Sequence, residues 1–373
     1  MRWLKSSHMF FFFFSRNIFI PANQQITELT LPLFDDFHLH LRSGNALTRT
    51  VSDASFWARR AIVMPNLQPP VDSFDLADNY RAEIIKNIPA ERNFEPLMTL
   101  YLSENITTDT VKQAKERGIF AIKWYPKGAT TNSEQGISSV QACYPIFAEM
   151  EKQELPLLIH GEVTDVDIDI FDREAVFIDR VLIPLRREFP NLKITMEHIT
   201  TARAVEYLCS LPETEKTAAT ITPQHLLFNR NQLLVGGIKP HFYCLPILKC
   251  ETDRKALLQA ATSGNPRFFL GTDSAPHAQN KKENSCGCAG CYSGLNAPAL
   301  YAQAFEEAGA LDKLKNFACK FGADFYGIET ENSDKRLKII RKENTIPANL
   351  DYGEDKVIPL LAENKIHWQI ERI

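Results

Sequence analysis

Short apolar runs recur along the chain, and longer amphipathic stretches lie between them. The runs have the length of buried β-strands, and apolar residues at helical spacing in the intervening stretches predict α-helices. The predicted strands are 33–41, 60–66, 95–102, 120–126, 155–162, 192–199, 218–226 and 267–277. The predicted helices are 73–88, 108–118, 138–153 and 172–189. A strand followed by a helix, repeated eight times, predicts a closed parallel (β/α)8 barrel of the TIM type.

The alternative architecture is an open, doubly wound parallel sheet. Such a sheet commonly binds phosphates through a glycine-rich loop, and neither G-x-G-x-x-G nor G-x-x-x-x-G-K-[ST] follows any predicted strand. No repeat and no Pro-, Ser- or Gly-rich linker divides the chain. We therefore expect a single barrel domain over residues 26–373, whose last segment, "NKIHWQIERI", is a candidate added strand.

The start of the chain has a different pattern. Two basic residues precede an apolar run from Met9 to Phe14, which resembles the start of a secretory signal. Ser15 interrupts this run after six residues, whereas about 20 apolar residues are needed to cross a bilayer. We interpret residues 1–25 as an N-terminal extension outside the fold, and no later segment resembles a transmembrane helix.

The overall composition is that of an ordinary folded protein. Hydrophobic residues make up 44% of the chain and charged residues 24%, which argues against a disordered or fibrous protein. The net charge of −4 argues against nucleic acid and acidic membrane surfaces as partners. Eight cysteines, mostly scattered through apolar segments, indicate reduced thiols in a cytoplasmic protein.

Two histidines interrupt the first predicted strand, in "FDDFHLHLR". His38 and His40 are two residues apart, so both imidazoles project from one face of the strand. Taken alone, such a pair is more often one satisfied core imidazole and one surface residue than a metal site. The rest of the chain decides between the two interpretations.

Similar polar residues stand at or near the carboxyl ends of other predicted strands. Together with the histidine pair, the ligand-type residues are His38, His40, Lys123, His160, His198 and Asp273. In a closed parallel barrel the carboxyl ends of the strands surround one mouth, so we expect these side chains to meet there. Four imidazoles and a carboxylate are suited to zinc.

Lys123, in "AIKWYP", is unusual because an ammonium group among metal ions would be repelled. Desolvation and nearby positive charge lower the pKa of a lysine and favour the neutral amine. A neutral amine can add carbon dioxide, which gives a carbamate able to bridge two metal ions. The alternatives for Lys123 are a Schiff-base lysine and a structural ion pair.

These residues lie in a longer series of motifs. The motifs are "DFHLHLR", "IVMPN", "IKWYPKGATTN", "IHGEV", "EHITT", "TPQHLLFNRN", "KPHFYCLPILK" and "LGTDSAPH". In this order they resemble dihydroorotases of the amidohydrolase superfamily, in the shorter form found in bacteria, plants and fungi, from about residue 30 to the C-terminus. The resemblance implies a distorted metal-dependent hydrolase barrel, a homodimer, and the reversible cyclisation of N-carbamoyl-L-aspartate to (S)-dihydroorotate in pyrimidine biosynthesis.

The resemblance also implies two zinc ions and their ligands. The H-x-H pair and Asp273 match the ligands of one ion, and His160 and His198 match those of the other. Lys123, as N6-carboxylysine, matches the residue that bridges both. A metal ion lowers the pKa of bound water from 15.7 towards about 7, and Asp273 beside that water can serve as base in one direction and as acid in the other.

A substrate-binding set follows from the same resemblance. Arg42, two residues beyond His40, is suited to a bidentate contact with a carboxylate, and its structural alternative is a solvent-facing salt bridge. The other implied residues are Asn66 and His277 at the carboxylate, Thr130 and Thr131 on a loop, and Leu245 and Ala289 at the pyrimidine ring through backbone groups.

The loop "PKGATTNSEQG" mixes Gly, Thr, Asn and Ser directly after a barrel strand, which is typical of a mobile segment. In the resembling family this loop closes over the substrate and excludes water. Lys127 and Gly128 stand where the family has alanine and asparagine.

A second metal motif competes with the first. Cys286, Cys288 and Cys291 form C-x-C-x-x-C, and three thiolates with a fourth ligand could hold a structural zinc ion. The sequence lacks a second C-x-x-C, and the resembling family uses this loop to shape its substrate site. We expect His225, in "TPQHL", to support the ligands from behind, and His241 is left unassigned.

Two other functions remain possible from the sequence. Another cyclic amidohydrolase, such as a hydantoinase or an allantoinase, could use the same metal cluster. A non-catalytic scaffold of similar fold would lack ligands, and here every ligand type is present.

Overall fold

The computed structural model describes residues 26–137, 139–285, 287–330 and 334–373, so the extension predicted for residues 1–25 lies outside them. The strands of the described chain are β1 (Glu28–Pro32), β2 (Phe34–Leu39), β3 (Ala58–Val63), β4 (Glu95–Tyr101), β5 (Ile119–Trp124), β6 (Leu157–His160), β7 (Ile194–Glu197), β8 (Thr217–Ile221), β9 (Phe268–Leu270), β10 (Arg336–Thr345), β11 (Leu350–Tyr352), β12 (Asp355–Val357) and β13 (Lys365–Arg372).

Helices connect most of these strands. In the same part of the chain they are α1 (Leu47–Trp57), α2 (Phe74–Lys86), α3 (Thr108–Ala114), α4 (Tyr144–Lys152), α5 (Arg173–Phe177), α6 (Ile183–Glu188), α7 (Ala202–Ser210), α8 (Pro223–Leu227), α9 (Asn231–Leu234), α10 (Glu251–Thr262), α11 (Gln279–Lys282), α12 (Ala297–Glu307), α13 (Leu314–Cys319) and α14 (Phe321–Tyr326). Short 3-10 helices lie at Gly44–Ala46, Gln141–Cys143, Pro240–Phe242 and Leu311–Lys313, and a π-helical turn at Ile178–Leu182 joins α5 to α6.

Strands β2 to β9 form one eight-stranded sheet in which each strand pairs in parallel with the next along the chain. The sheet curves into a nearly closed barrel, so that its first and last strands meet at a seam. At this seam the Asp273 N–H donates to the His38 carbonyl (N to O, 2.9 Å), and the His40 N–H donates to the Ser274 carbonyl (3.2 Å). The (β/α)8 barrel predicted from the sequence is confirmed.

Two predicted strands are wrong over their second halves. The strand predicted at 267–277 ends at Leu270. The strand predicted at 218–226 ends at Ile221, and a helix begins at Pro223. Proline has no N–H and fits the first turn of a helix. Thr222 caps this helix, because its Oγ1 accepts a hydrogen bond from the His225 N–H (3.2 Å).

Alternation along the strands decides which side chains face the interior of the barrel. Ala121 and Leu158 belong to an interior cluster whose other members include Phe37, Ile62, Met64, Ala218, Phe269 and Tyr326. Lys123 and His160 follow Ala121 and Leu158 by two residues and therefore face the same interior. Apolar side chains fill the base of the barrel, and polar side chains lie at its carboxyl-end mouth.

A small antiparallel sheet of β1, β10 and β13 joins the two ends of the described chain. The added strand predicted at the C-terminal end is thus confirmed. Trp368 on β13 is fully buried, and its indole N–H donates to Glu306 on α12 (3.0 Å). None of the described helices has the length and apolar character needed to cross a bilayer.

Replacing Gly322 with alanine should destabilise the base of the barrel. An added Cβ would lie 2.1 Å from Cε2 of Phe37, whose ring packs edge-on against Phe269 with centroids 5.3 Å apart. We expect Gly322→Ala to lower the free energy of unfolding by about 1–3 kcal/mol in a urea titration. Lys315→Ala, at an exposed position on α13, should change it by less than about 0.5 kcal/mol. Equal stability of the two variants would contradict the packing described here.

Candidate functional site

Six polar side chains predicted to be ligands lie together at the mouth of the barrel. They are His38 on β2, His40 just after it, Lys123 on β5, His160 at the end of β6, His198 just after β7 and Asp273 after β9. None of the six exposes more than 7% of its surface. The barrel therefore brings together residues that are far apart in the sequence and removes them from water.

One group of ligand atoms consists of the H-x-H pair and an aspartate. His38 Nε2 lies 3.2 Å from His40 Nε2 and 3.3 Å from Asp273 Oδ1. His40 Nε2 lies 3.1 Å from the same carboxylate oxygen. Imidazole nitrogens and a carboxylate oxygen that converge in this way form a donor set suited to zinc.

A second group surrounds His198. Its ring centroid lies 4.9 Å from that of His38 and 4.8 Å from that of His160. His38, Glu197 and His198 also bring one ligand atom each within 4.8 Å of one another. The mouth therefore contains a second group of possible metal-binding atoms, which shares His38 with the first.

Lys123 is fully buried beside these groups. Its Nζ contacts the Glu197 carboxylate and lies 4.7 Å from the centre of the Tyr125 ring. Burial lowers the pKa of Lys123 well below its ordinary value. The structure thus gives Lys123 a carboxylate partner, which is one of the alternatives left open by the sequence. It also gives an environment that favours the neutral amine, which carbamate formation requires.

Burial also favours neutral imidazoles at the mouth. It lowers the pKa of His38, His160 and His198 below the ordinary value. It lowers the pKa of His40 to about 3, and the positive charge of Arg42 adds to this effect. Nδ1 of His198 has no hydrogen-bond partner within the part of the chain that the structure describes, whereas Nδ1 of His38 lies 3.1 Å from Oε1 of Glu197. Neutral imidazoles and an unpartnered buried nitrogen fit residues that hold a metal ion.

Three site residues adopt a left-handed backbone conformation. The φ angle is 61° at Arg42, 42° at His198 and 44° at Asp273. Such conformations cost a non-glycine residue on the order of 1–3 kcal/mol. The His198 N–H donates to Oγ1 of Thr220 on β8 (2.7 Å), and the Asp273 N–H donates across the seam to His38. Hydrogen bonds from neighbouring strands therefore hold two candidate ligands in backbone conformations that the isolated chain would disfavour.

A buried carboxylate supports the loop that follows β7. Glu174 accepts hydrogen bonds from the N–H and hydroxyl groups of both Thr200 and Thr201, at distances of 2.6 to 3.0 Å. These threonines follow His198 by two and three residues. Glu174 therefore restrains the segment that carries this candidate ligand, and no motif in the sequence points to Glu174.

Arg42 lies at the rim of the mouth, next to His277. Its Nη2 is 3.0 Å from His277 Nε2, and its Nε donates to the Pro276 carbonyl (3.0 Å). Burial, followed by the charge of Arg42, lowers the pKa of His277 to about 2, so this imidazole is neutral. Within the described residues Arg42 bonds these groups and His40, so its contacts are not the salt bridge considered as its alternative.

The loop after β5 is folded against the mouth. Asn66 donates from Nδ2 to the Thr131 carbonyl (3.1 Å), and Thr131 donates from Oγ1 to the Ala289 carbonyl (3.4 Å). A small cavity lies beneath it. The predicted substrate-binding residues that line it are Arg42, Asn66, Thr130, Thr131, Leu245 and Ala289. His277 lies beside this lining, since it contacts Arg42 and Ala289.

The other two histidines considered from the sequence have protein partners. His225 Nδ1 lies 2.8 Å from Thr222 Oγ1, and its Nε2 lies 3.0 Å from the Pro246 carbonyl. His225 therefore supports the segment next to Leu245. His241 Nε2 lies 2.8 Å from Oε1 of Glu283.

The cysteine motif is described only in part, because Cys286 lies outside the described residues. In the ranges that are described, the residue groups able to hold a metal are the two given above, and neither includes a cysteine. The cysteines in those ranges are free thiols. A structural zinc site at this motif stays the less favoured interpretation.

Three residues of the mouth were missed although they stand inside the quoted motifs. Glu162 Oε2 lies 2.8 Å from His160 Nε2, Glu197 contacts Lys123, and Tyr125 lines the cavity. For Glu162 and Glu197 the sequence did contain a signal, because each lies within two residues of a predicted histidine ligand, in "HGE" and "MEH". Histidines that bind metal ions are commonly oriented by a carboxylate.

Comparison with known proteins gives close relatives. No family model matches the chain. It is 52% identical over 346 residues to a dihydroorotase of Acinetobacter baumannii, which covers 92% of this chain and 99% of the relative. It is 53% identical over 345 residues to a dihydroorotase of Teredinibacter turnerae, with coverage of 92% and 99%.

Solved structures agree with these relatives. The crystal structure of a Saccharomyces cerevisiae dihydroorotase in complex with 5-fluoroorotic acid has a TM-score of 0.84 and 36% identity, covering 93% of this chain and 99% of that one. An L-hydantoinase from Arthrobacter aurescens has a TM-score of 0.76 at 14% identity, covering 91% of this chain and 82% of that one. The second likeness shows the fold alone.

Replacing Glu174 should loosen the segment that carries His198. Glutamine keeps the shape of glutamate, but it turns an amide group towards donors that face a carboxylate in the wild type. We expect Glu174→Gln to lower the free energy of unfolding by about 2–3 kcal/mol in urea without added metal, and to weaken zinc binding in a titration. Glu188→Gln, at an exposed position on α6, should change stability by less than about 0.5 kcal/mol. Wild-type stability in Glu174→Gln would show that this carboxylate is dispensable.

Proposed function

The chain belongs to the dihydroorotase family of hydrolases acting on cyclic amides, and we propose that it catalyses the reversible cyclisation of N-carbamoyl-L-aspartate to (S)-dihydroorotate in de novo pyrimidine biosynthesis. The observation that carries the proposal is the mouth of the barrel, where imidazole and carboxylate donors lie beside Arg42. A cation site next to an arginine that can bind a carboxylate suits the hydrolysis of a cyclic amide with an acidic substituent.

We propose that two zinc ions bind each chain. The H-x-H pair and Asp273 would hold one ion, and His160 and His198 would hold the other. Lys123, carboxylated on Nζ by CO2, would bridge the two. The converging donor atoms of His38, His40 and Asp273 support the first ligand group. Within the described residues, the buried Nδ1 of His198 has no partner, which supports the second. When bound, the ions would provide a nucleophile at neutral pH by lowering the pKa of water towards about 7, and they would polarise the amide carbonyl.

Asp273 is the proposed acid and base. In ring opening its carboxylate would take the proton of the attacking water and deliver it to the nitrogen that leaves the carbonyl carbon. In cyclisation the order is reversed. The position of Asp273 supports this role, since it lines the cavity and its Oδ1 lies 3.1 Å from His40 Nε2.

Arg42, Asn66 and His277 would bind the substrate carboxylate, and backbone groups of Leu245 and Ala289 would bind the ring. Arg42 supports this arrangement because its guanidinium lies at the cavity beside a neutral imidazole. The yeast relative is in complex with 5-fluoroorotic acid, a pyrimidine with a carboxylate. An acidic pyrimidine is thus the ligand class that this mouth would take.

Thr130 and Thr131 would donate to the substrate from the loop over the mouth. The contacts of Thr131 with Asn66 and Ala289 support a position of the loop that reduces the access of water. Exclusion of water would strengthen the electrostatic interactions of the bound substrate.

Two alternative functions are less well supported. For another cyclic amidohydrolase, such as a hydantoinase or an allantoinase, the comparison offers only the fold of a hydantoinase at 14% identity, whereas Arg42, Asn66 and the threonine loop suit an acidic substrate. A non-catalytic scaffold would lack some of the ligands, and none of the six is missing from the mouth.

We also propose a single barrel domain over residues 26–373, assembly as a homodimer and action in the cytoplasm, without nucleic acid or membrane partners. The free thiols of the described cysteines support action in the cytoplasm. The net charge of −4 supports the proposal that nucleic acid and membranes are not partners.

Purified protein should contain about two zinc ions per chain, as the two ligand groups imply, and should interconvert dihydroorotate and N-carbamoyl-L-aspartate. Absorbance measures the formation and loss of the dihydroorotate ring, and elemental analysis measures the zinc content per chain. A chelator should abolish turnover, and added zinc should restore it. A metal-replete protein that hydrolyses 5-substituted hydantoins but not dihydroorotate would refute the substrate proposed here.

Lys123→Ala tests the carbamate against the ion pair. Loss of a bridging ligand should reduce zinc content and lower activity by about 100-fold or more, and short carboxylic acids such as acetate should restore part of both. Lys115→Ala, at an exposed position just after α3, should retain both the zinc content and the activity of the wild type. If Lys123→Ala keeps its zinc and its activity but loses stability, Lys123 only pairs with Glu197 and the carbamate is wrong.

A further inference from the structure

Lys282, on α11, is a buried cation to which the proposed reaction gives no role. Only 4% of its surface is exposed. Its Nζ donates to the carbonyls of Tyr243 (2.9 Å), Cys288 (2.9 Å) and Gly290 (2.6 Å). An ammonium group has three N–H donors, so the three carbonyls use all of them. The Gly290 N–H also donates to the Tyr243 carbonyl (2.9 Å).

The three carbonyls belong to two segments, 243–245 and 288–290, that both reach the cavity. Leu245 lines the cavity from the first segment, and Ala289 and its neighbour line it from the second. Lys282 itself is not part of the lining. It therefore joins the two segments from behind, on the side away from the substrate.

The direction of the Cys288 carbonyl decides the direction of the next N–H. The peptide between Cys288 and Ala289 is trans, and in a planar trans peptide the C=O and N–H bonds point in opposite directions. Because the Cys288 carbonyl points to Lys282, the Ala289 N–H points away from Lys282, towards the cavity that Ala289 lines. This N–H donates to no group within the described ranges of the chain.

A buried N–H without an acceptor is costly, and a ligand with a carbonyl oxygen would remove that cost. Ala289 is 7% exposed, so water has little access to it. The charge of Lys282 lies behind the same peptide and polarises it, which strengthens the N–H as a donor.

We propose that Lys282 is a positioning residue that orients the Ala289 N–H to donate to a carbonyl oxygen of the substrate, in the ring or in the ureido group of the open form. The inference rests on the proposed function, because it requires a substrate with a carbonyl at this place. Lys282 would act on substrate binding and not on the metal ions.

Lys282→Met tests this inference, because methionine keeps the length of the side chain and removes its donors. We expect the KM for dihydroorotate to rise about five- to tenfold, as for the loss of one neutral hydrogen bond, with kcat within about twofold of the wild type and zinc content unchanged. Lys282→Arg keeps the charge and some donors, so its KM should lie between those of the wild type and Lys282→Met. Lys281→Met, at the exposed neighbouring position, should match the wild type in KM and kcat.

A role in stability alone would give a different result. It would lower the melting temperature and the amount of active protein in Lys282→Met while leaving KM unchanged, and that outcome would overturn the inference. If Lys282→Met does not fold, a wild-type KM in Lys282→Arg would overturn it as well. Turnover by the wild type with an unchanged KM in the variants rejects this inference and leaves the proposed function intact. A zinc-loaded wild type without turnover rejects both.

Discussion

The hydrogen bonds across the seam between β2 and β9 are the constraint on which the site depends. The Asp273 N–H donates to the His38 carbonyl (2.9 Å). The buried carboxylate of Asp36 accepts from the N–H groups of His38 (3.1 Å) and Thr272 (2.9 Å) on the two sides of the seam. The residues that close the barrel are therefore the residues that carry one group of ligands, or their direct neighbours. The contacts that close the sheet therefore also bring these candidate ligands together.

Charged groups behind the mouth are stabilised in complementary ways. Glu174 is a buried anion whose oxygens accept only N–H and hydroxyl donors, and Lys282 is a buried cation whose donors meet only backbone carbonyls. A buried charge without such partners would cost several kcal/mol. With them, each group restrains a loop that reaches the mouth, the first near His198 and the second near Ala289. Loops that would otherwise be variable thus hold the site in one geometry.

Much of the barrel could be predicted because each strand and each helix buries a face that its own local pattern records. The same holds for His38 and His40, whose spacing alone places them on one face of a strand. The end of β8 could not be predicted from apolar character, because Pro223 and its capping residue begin a helix within an apolar run. Glu174 and Lys282 could not be recognised at all. The partners of Glu174 lie at least 26 residues away in the sequence. Lys282 joins the nearby Cys288 segment to the distant Tyr243.

The sequence by itself determined the order of the eight barrel strands, the chemical types of the six candidate ligands and their places at or near strand ends, because these depend on periodicity within a few residues. Only the tertiary structure decided the distances between the ligand atoms, the pairing of Lys123 with Glu197, and the left-handed conformations of His198 and Asp273. Each of these depends on how the curved sheet brings distant strands together. The free energy that holds a strained or buried group in place comes from neighbours that are remote in the chain.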